Sequence, residues 1–184
     1  MNHLGTKYIE TPRLILRRFV LEDAPAMYAN WASYPEVTKF LTWPTHSSVE
    51  ISHRVLVDWM GQYCQENYYQ WAIVPKSLGQ PIGSIAVVRI NEQTACLELG
   101  YCIGRNWWHQ GFTSEALSAL IEFFFAQVGA NRIEARHDVN NPHSGAVMKK
   151  CGMTCEGTLR QADRNNQGIC DMRVYAILAS DREV

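Results

Sequence analysis

The stretch from Glu98 to Leu120 carries the residue types best suited to chemistry in this chain of 184 residues. Glu98 is the only charged residue in the run 97–103, where apolar residues alternate with polar or small ones. This period of two predicts a strand with an acid opposite its apolar face. A polar turn at residues 110–114 then leads into an apolar helical pattern. Because the first N–H groups of a helix lack internal partners and lie at the positive end of its dipole, the stretch predicts a phosphate-binding helix start near an acid.

Two familiar phosphate motifs are missing from this stretch. The sequence contains no G-x-x-x-x-G-K-[ST], and Gly100, Gly104 and Gly111 do not fit G-x-G-x-x-G. A nucleoside triphosphatase or a dinucleotide-binding fold is therefore disfavoured. A second polar segment, residues 140–153, predicts a strand end followed by a short helix that stops at Gly152.

Hydrophobic periodicity predicts the elements that position these residues. Alternation or short apolar runs predict strands at residues 13–19, 69–73, 82–90, 97–103, 132–138, 154–160 and 171–178. A period near 3.6 predicts helices from Glu22 or Asp23 to about Ala32, from a cap at Ser47 or Ser48 onward, from the turn at residues 110–114 to Gly129, and at residues 144–151.

The connections between these elements indicate the fold class. Short turns join the three strands between residues 69 and 103, which predicts an antiparallel meander. The strand at 132–138 follows the strand of Glu98 through a helix, and such a crossover places two parallel strands in one sheet. We therefore expect one α/β (α+β) domain over residues 1–184, with a mixed, mostly antiparallel sheet of about seven strands and about four helices on both faces.

Composition limits the classes of partner. The formal net charge of −1 and the pI near 6.6 leave no basic surplus for a nucleic-acid backbone. No apolar run approaches the roughly 18 residues of a membrane span, and the N-terminus lacks the apolar segment of a signal peptide, so we expect a cytoplasmic protein without a membrane partner. The six cysteines form no C-x-x-C pair, and Gly152 interrupts the spacing between Cys151 and Cys155, so we expect free buried thiols and no metal.

Several motifs together resemble the GNAT superfamily of acetyl-CoA-dependent N-acetyltransferases, in particular its RimJ/RimL branch of ribosomal-protein N-terminal acetyltransferases. The resemblance extends over nearly the whole chain. The motifs also occur in the family's order and at its spacings. They are Thr11-Pro12-Arg13-Leu14, Leu97-Glu98-Leu99-Gly100-Tyr101, Gln110-Gly111-Phe112-Thr113-Ser114-Glu115-Ala116, Asn141-Pro142-His143-Ser144, Lys150-Cys151-Gly152-Met153 and Glu156-Gly157-Thr158-Leu159-Arg160.

The resemblance implies a site for acetyl-CoA. The CoA diphosphate would lie on backbone amides of the loop 108–114, and the pantetheine arm would add a strand-like segment where the two parallel strands splay apart. The residues implied to contact the cofactor are Cys102, Ile103, His109, Gln110, Gly111, Phe112, Thr113, Ser114, Asn141 and Ser144. The chain departs from the family's Q/R-x-x-G-x-G/A pattern at Trp108 and Thr113, so Gly111 is the position on which the comparison depends.

Acetyl transfer to an amine needs the neutral amine, since an ammonium has no lone pair to attack the thioester. A protein α-amine is roughly 10% neutral at pH 7, whereas a lysine is far less than about 1% neutral. Glu98 is the candidate base, directly or through water, although a structural pairing with an arginine is the alternative. Ser144, from the motif match, and Tyr175, from its place in the last strand, are the candidates to protonate the departing thiolate. Direct attack is typical of the superfamily, so we expect no acyl-enzyme.

The acceptor and the assembly stay open at this point. A protein N-terminal α-amine, such as that of a ribosomal protein, is favoured by the resemblance. The alternatives are an acetyltransferase of a small amine, polyamine or antibiotic, and a non-catalytic module that holds acyl-CoA as a sensor. The chain is expected to be a monomer or a homodimer, and direct contact with nucleic acid is not expected.

Overall fold

An eight-stranded mixed sheet organises residues 1–182, the part of the chain that the computed structural model describes. The strands, numbered along the chain, are β1 (Ile9–Glu10), β2 (Leu14–Arg17), β3 (Gln70–Pro75), β4 (Gly83–Asn91), β5 (Cys96–Ile103), β6 (Arg132–Asp138), β7 (Thr154–Asn165) and β8 (Gly168–Leu178). Their order across the sheet is β1-β2-β3-β4-β5-β6-β8-β7. Every neighbouring pair is antiparallel except β5 and β6, which are parallel. The predicted meander, crossover and mixed fold class are confirmed.

Five α-helices connect and cover the strands. They are α1 (Ala24–Met27), α2 (Pro35–Thr38), α3 (Val49–Gln62), α4 (Phe112–Phe123) and α5 (Pro142–Lys150). The α4 helix continues as a π-helical turn to Val128 and ends at Gly129, whose φ of 75° is the left-handed conformation common after a helix. No helix among residues 1–182 has both the length and the apolarity needed to span a membrane.

Two hydrophobic clusters cover opposite faces of the sheet. On one face α4 packs through Leu117 against the β5 residue Leu97. On the other face Met27 of α1 and Leu56 of α3 pack against the β3 residue Ala72. Burial of one leucine or methionine side chain contributes about 1.5–3 kcal/mol, so these clusters hold helices on both faces, as predicted.

The parallel pair β5 and β6 separates before either strand ends. Their pairing stops at Leu99 opposite Ala135, but β5 continues to Ile103 and β6 to Asp138. Beyond this point β5 stays paired with β4, and β6 stays paired with β8. A bulge at Val88 of β4 lies at the level where the strands part, and bulges increase local twist. The resulting gap opens toward the C-terminal ends of β5 and β6, where α4 and α5 begin.

The last two strands are longer than the sequence predicted. They form a hairpin that reaches Asn165 and Gly168, whereas residues 154–160 and 171–178 were expected. Residues 160–162 have no partners in the ladder, and Gln161 has a φ of 50°. This bulge interrupts the period of two, and β7 is exposed along nearly its whole length, so no alternating pattern marks its second half.

Three further expectations need correction. The helix expected over residues 22–32 is divided into a 3-10 turn, α1 and a π-helical turn, with Pro25 in the first turn of α1. The first strand is shorter than residues 13–19, and β1, which adds the eighth strand, has only two residues and so cannot show a period. All six cysteines are free as expected, but only Cys170 is buried. Cys64 and Cys155 are exposed, and the other three are half-buried.

Candidate active site

A cavity of about 320 Å³ lies where the gap between β5 and β6 meets the first turns of α4 and α5. Tyr101 and Cys102 both line it. Because consecutive strand residues point to opposite faces of a sheet, the cavity passes through the gap from one face to the other. Its lining includes Tyr101, Cys102, Ile103, Trp107, Trp108, His109, Gly111, Thr113, Ser114, Asn141, His143, Ser144 and Lys150.

The turn before α4 is shaped by two left-handed residues. Gly111 is the N-cap of α4 with a φ of 79°, and His109 has a φ of 60°. The Gly111 carbonyl accepts hydrogen bonds from the Ser114 hydroxyl at 2.9 Å and the Glu115 N–H at 3.0 Å. This closes the first turn while the N–H groups at its start point out of the helix, where an anion can accept from them.

Two cations flank this helix start. A Cβ built on Gly111 would lie 3.4 Å from Nη2 of Arg13 and 3.5 Å from Nζ of Lys150. Arg13 enters from the segment just before β2, and Lys150 is the last residue of α5. An anion bound to the N–H groups at this helix start would therefore be attracted by a guanidinium and an ammonium group as well as by the helix dipole.

The position of Arg13 is fixed by hydrogen bonds to α4 and to the turn before it. Its Nε donates to Oε2 of Glu115 at 2.6 Å and its Nη1 donates to the Gln110 carbonyl at 3.0 Å. Thr11 adds a hydrogen bond of 2.6 Å to Oε1 of Glu115. Burial would raise the pKa of Glu115, but the hydrogen bonds from Thr11 and Arg13 outweigh it and lower the pKa. Arg13 and Lys150 both belong to motifs of the sequence, but no local pattern places them in the site.

The first turn of α5 brings a hydroxyl pair to the cavity. Ser144 donates from Oγ to the Tyr101 hydroxyl at 3.1 Å, and that hydroxyl donates to the Ser144 carbonyl at 3.0 Å. Burial raises the pKa of Tyr101, so its phenol stays protonated at neutral pH. Asn141 is the N-cap residue of α5, and its carbonyl accepts from the Ser144 N–H at 3.2 Å. Periodicity had assigned Tyr101 to the apolar face of its strand, and the hydroxyl contact was not foreseen.

A glycine lets α5 approach the sheet this closely. A Cβ on Gly145 would lie only 2.6 Å from Nε2 of His137 on β6. His137 is 4% exposed, and its Nδ1 lies 2.7 Å from the Asp138 carbonyl, so the ring cannot easily move away. The first turn of α5, with Asn141 and Ser144, depends on this contact.

Replacement of Gly145 with alanine is expected to destabilise the protein by about 1–3 kcal/mol, because a methyl group overpacks the contact with His137. Displacement of α5 should also weaken binding of the acetyl-CoA that the sequence motifs imply, as measured by calorimetry. The matched control is Gly61→Ala on α3, where nothing lies within 4 Å of an added Cβ. That variant should be more stable by roughly 0.5–1 kcal/mol. Equal thermal unfolding of the two variants would contradict the close approach.

Glu98 lies at the closed end of the gap, one residue before the last β5–β6 pair. Its Oε2 is 3.6 Å from Nη1 of Arg89 and 3.5 Å from Nε of Arg136, and its side chain is 12% exposed. Burial raises the pKa of Glu98, while Arg136 and Arg89 limit the rise. Glu98 does not line the cavity, but it shares a face of β5 with Cys102, which does.

The outer wall of the cavity is formed by α2 and the loop after it, through Val37, Phe40 and Leu41. The turn between β7 and β8 ties this wall in place. Asn166 donates from Nδ2 to the carbonyls of Thr38 at 2.9 Å and Trp43 at 2.8 Å, and its N–H donates to the Leu41 carbonyl at 3.1 Å.

The structure brings most of the predicted cofactor residues together. Cavity-lining residues among them are Cys102, Ile103, His109, Gly111, Thr113, Ser114, Asn141 and Ser144. Gln110 instead donates to the Asn106 carbonyl at 2.8 Å, and Phe112 lies 4.5 Å from the Arg13 guanidinium. Tyr175, the alternative acid, is 2% exposed and its ring packs 5.6 Å from that of His137, away from the cavity. Within residues 1–182 no group of three or more His, Cys, Asp or Glu side chains is arranged to hold a metal.

Comparison with known proteins identifies related chains and folds. The family profile described as an acetyltransferase (GNAT) domain matches residues 13–154. The uncharacterized N-acetyltransferase p20 of Bacillus licheniformis is 30% identical over 169 residues, which cover 91% of this chain and 94% of that protein. The ribosomal-protein-serine acetyltransferase of Escherichia coli (strain K12) is 30% identical over 136 residues, covering 74% and 75%. The structure of RimL, a ribosomal L7/L12 α-N-protein acetyltransferase in complex with coenzyme A, shares the fold with a TM-score of 0.83, 21% identity and coverage of 94% and 98%.

Proposed function

Because the chain belongs to the GNAT acetyltransferase family, we propose that it transfers the acetyl group of acetyl-CoA to a primary amine, with a protein N-terminal α-amine as the preferred acceptor. The observation that carries this proposal is the continuous cavity from the Gly111 helix start to the gap between β5 and β6. An elongated ligand with a diphosphate at one end fits such a cavity.

The residues present fit coenzyme A at both ends of the cavity. The N–H groups at the start of α4, with Arg13 and Lys150, are suited to the diphosphate. Backbone groups of β5 beyond Leu99 have no partners on β6, so they are available to an extended arm in the manner of an added strand. Bound acetyl-CoA would supply the activated acetyl group at the closed end of the gap.

Glu98 is the proposed base at that closed end. An incoming amine must lose its proton to attack, and a buried carboxylate with a raised pKa is a better match to this proton than an exposed one. An α-ammonium group is easier to deprotonate than a lysine ammonium group, since its ordinary pKa is lower by roughly 2.5 units. This difference favours an α-amine acceptor for a site with a single weak base.

The Tyr101–Ser144 pair is the proposed source of a hydrogen bond or proton for the departing thiolate. Both residues line the cavity, and the raised pKa of Tyr101 keeps its proton available. Of the two acids considered from the sequence, only Ser144 lies in the cavity; Tyr175 packs against His137.

Replacement of Tyr101 with phenylalanine is expected to lower kcat by about 10- to 100-fold, because it removes the hydroxyl next to Ser144. The KM for acetyl-CoA should change little, and steady-state kinetics measures both. Tyr175→Phe is the matched control and should leave kcat unchanged. A large loss in Tyr175→Phe with none in Tyr101→Phe would assign the acid to the other tyrosine.

Charge on the sheet face around Glu98 bears on the choice of acceptor. Two carboxylates there share an arginine: Glu134 lies 2.7 Å from Nε of Arg132, and Glu156 also pairs with Arg132. A polyamine binds best where several carboxylates lack such partners. The paired face therefore favours an acceptor with one ammonium group, and the name of the Escherichia coli relative points to the same class.

A peptide panel tests this proposal. One peptide has a free α-amine and no lysine, the second has an acetylated N-terminus and one lysine, and spermidine and an aminoglycoside complete the set. Release of CoA and the mass of each product are measured at pH 7. The free α-amine should react at least about tenfold faster than the lysine, given its larger neutral fraction. Faster reaction of spermidine or the aminoglycoside would support a small-amine enzyme, and tight acetyl-CoA binding without turnover on any amine would support a sensor.

A further inference from the structure

The outer wall of the cavity, residues 36–43, is anchored to both halves of the sheet that the gap separates. On the β5 side, Nη1 of Arg105, just beyond the end of β5, donates to Oε1 of Glu36 at 2.9 Å. On the other side, Asn166 in the turn between β7 and β8 donates three hydrogen bonds of 2.8–3.1 Å to carbonyls of the wall. The wall therefore bridges the gap.

The turn that carries Asn166 is itself fixed to the end of β6. Asn165 is buried, and its Nδ2 donates to Oδ2 of Asp138, the last residue of β6, at 2.7 Å. Oδ1 of Asn165 accepts from the Gln167 N–H at 2.7 Å, which closes the turn. A series of hydrogen bonds thus runs from the end of β6 through Asn165 and Asn166 to the outer wall.

The outer wall lies on the face of the sheet to which Glu98 points. Glu98 and Cys102 are four residues apart on β5, so they share a face. Cys102 packs against the hydrophobic cluster of α1 and α3, and Val37 of the wall belongs to that cluster. Cys102 and Val37 also both line the cavity. An amine that reaches Glu98 through the cavity therefore passes along the outer wall.

The surface that the wall presents to the cavity is apolar and holds no free carboxylate. Its lining residues besides Glu36 are Val37, Phe40 and Leu41. In the described part of the chain, Glu36 is the only carboxylate that lines the cavity, and it is paired with Arg105. A charged side chain placed against this surface would lose water without gaining a partner, which is unfavourable. An apolar side chain fits the surface better.

We propose that Asn166, by holding the outer wall across the gap, makes the enzyme select an acceptor with an apolar side chain next to the reacting amine. The inference rests on the proposed function, because it places that amine at Glu98. Asn166 is a positioning residue, since it acts on the acceptor through Val37, Phe40 and Leu41. A wall bonded to both sides of the gap keeps a fixed distance from β5, so acceptors differ by the apolar surface that they bury against it.

A panel of peptides that differ only in their first residue tests the selection. The first residue is leucine, alanine, aspartate or arginine; every peptide has a free α-amine and no lysine. Release of CoA from saturating acetyl-CoA gives kcat/KM for each peptide with the full chain at pH 7. The leucine peptide should exceed the alanine peptide by about tenfold, because extra methylene groups in an apolar site raise kcat/KM by at least this factor. Both charged first residues should react more slowly than alanine.

Asn166→Asp tests the positioning role with a change of almost the same shape. Aspartate cannot donate, so the bonds from Nδ2 to the Thr38 and Trp43 carbonyls are lost and a carboxylate faces those oxygens. The leucine-to-alanine ratio of kcat/KM should fall from about ten to about two, mainly through a higher KM for the leucine peptide. The Kd for acetyl-CoA should stay the same. Asn166 is exposed, so the variant should fold.

Gln167→Glu is the matched control for Asn166→Asp. It introduces the same charge at the next position of the same turn, whereas the three hydrogen bonds to the wall all come from Asn166. This control should keep the native ratio.

Phe40→Ala tests the wall itself, because it removes apolar surface without removing a hydrogen-bonding group of Asn166. It should lower the leucine-to-alanine ratio as well. Val57→Ala, on an exposed part of α3 outside the cavity, is its control and should keep the native ratio.

Each outcome has a distinct meaning. Equal kcat/KM for the leucine and alanine peptides in the native chain, or faster reaction of a charged first residue, would overturn the inference and leave acetyl transfer to α-amines intact. A native ratio in Asn166→Asp, with or without a lower unfolding temperature, would show that Asn166 does not set the selection. Absence of turnover on every peptide would overturn the preference for an α-amine acceptor in the proposed function, and the inference with it.

Discussion

Replacement of Gly111 with alanine is expected to weaken coenzyme A binding by about 100-fold, or roughly 2.7 kcal/mol. The new methyl group would lie 3.4 Å from Nη2 of Arg13 and 3.5 Å from Nζ of Lys150, in the space between the two cations where the diphosphate is proposed to bind. Alanine also strains the left-handed backbone by roughly 1–2 kcal/mol, which a domain with about 5–15 kcal/mol of stability survives. Isothermal titration calorimetry gives the Kd, and thermal unfolding gives the stability.

Gly129→Ala provides the matched control for this prediction. Gly129 has nearly the same left-handed φ of 75°, but nothing lies within 4 Å of an added Cβ and the residue is at the far end of the α4 segment. Both variants should lose similar stability, and only Gly111→Ala should lose cofactor affinity. Native affinity in Gly111→Ala would show that the diphosphate does not bind at this helix start.

Replacement of Glu98 with glutamine is expected to lower kcat by about 10²- to 10⁴-fold, the range of a general base. A base must be deprotonated, so the rate of the native enzyme should fall as pH decreases through the pKa of Glu98. Burial raises that pKa, which places the fall above the ordinary carboxyl range near about 4.3. This acidic limb of the pH profile should disappear in Glu98→Gln, while the Kd for coenzyme A stays the same.

The alternative for Glu98 is a purely structural ion pair with Arg89 and Arg136. Glu134→Gln separates the two roles, because Glu134 lies opposite Glu98 on β6 and also pairs with Arg136. A structural role predicts that both variants unfold at lower temperature and that neither loses rate. A catalytic role predicts a large loss of kcat in Glu98→Gln alone. An unchanged rate and pH profile in Glu98→Gln would remove Glu98 from the mechanism.

Local patterns predicted the centre of the fold well. The alternation around Glu98 predicted β5, and the helical period after Gly111 predicted α4. The crossover between the two strands predicted that β6 runs parallel to β5. The same patterns failed for the second half of β7, which is exposed and bulged, so its residues are not selected by burial on one face.

The candidate site shows why sequence reasoning found some of its residues and missed others. Gly111 was recognisable because a helix start and its motif coincide in one segment. Tyr101 was missed because its alternation with Leu99 marks it as core, and only the packing of α5 brings Ser144 to its hydroxyl. Arg13 and Lys150 approach Gly111 from distant parts of the chain. Such contacts depend on tertiary structure, and no local period encodes them.

A crystal structure of the full chain with coenzyme A would locate the cofactor in this cavity. We expect the diphosphate to accept hydrogen bonds from the N–H groups of residues 111–114, beside Arg13 and Lys150. We also expect the pantetheine arm to follow β5 into the gap, with the sulfur close to Leu99 on the side of Glu98. A diphosphate bound away from Gly111, or an arm that does not enter the gap between β5 and β6, would contradict the proposed cofactor site.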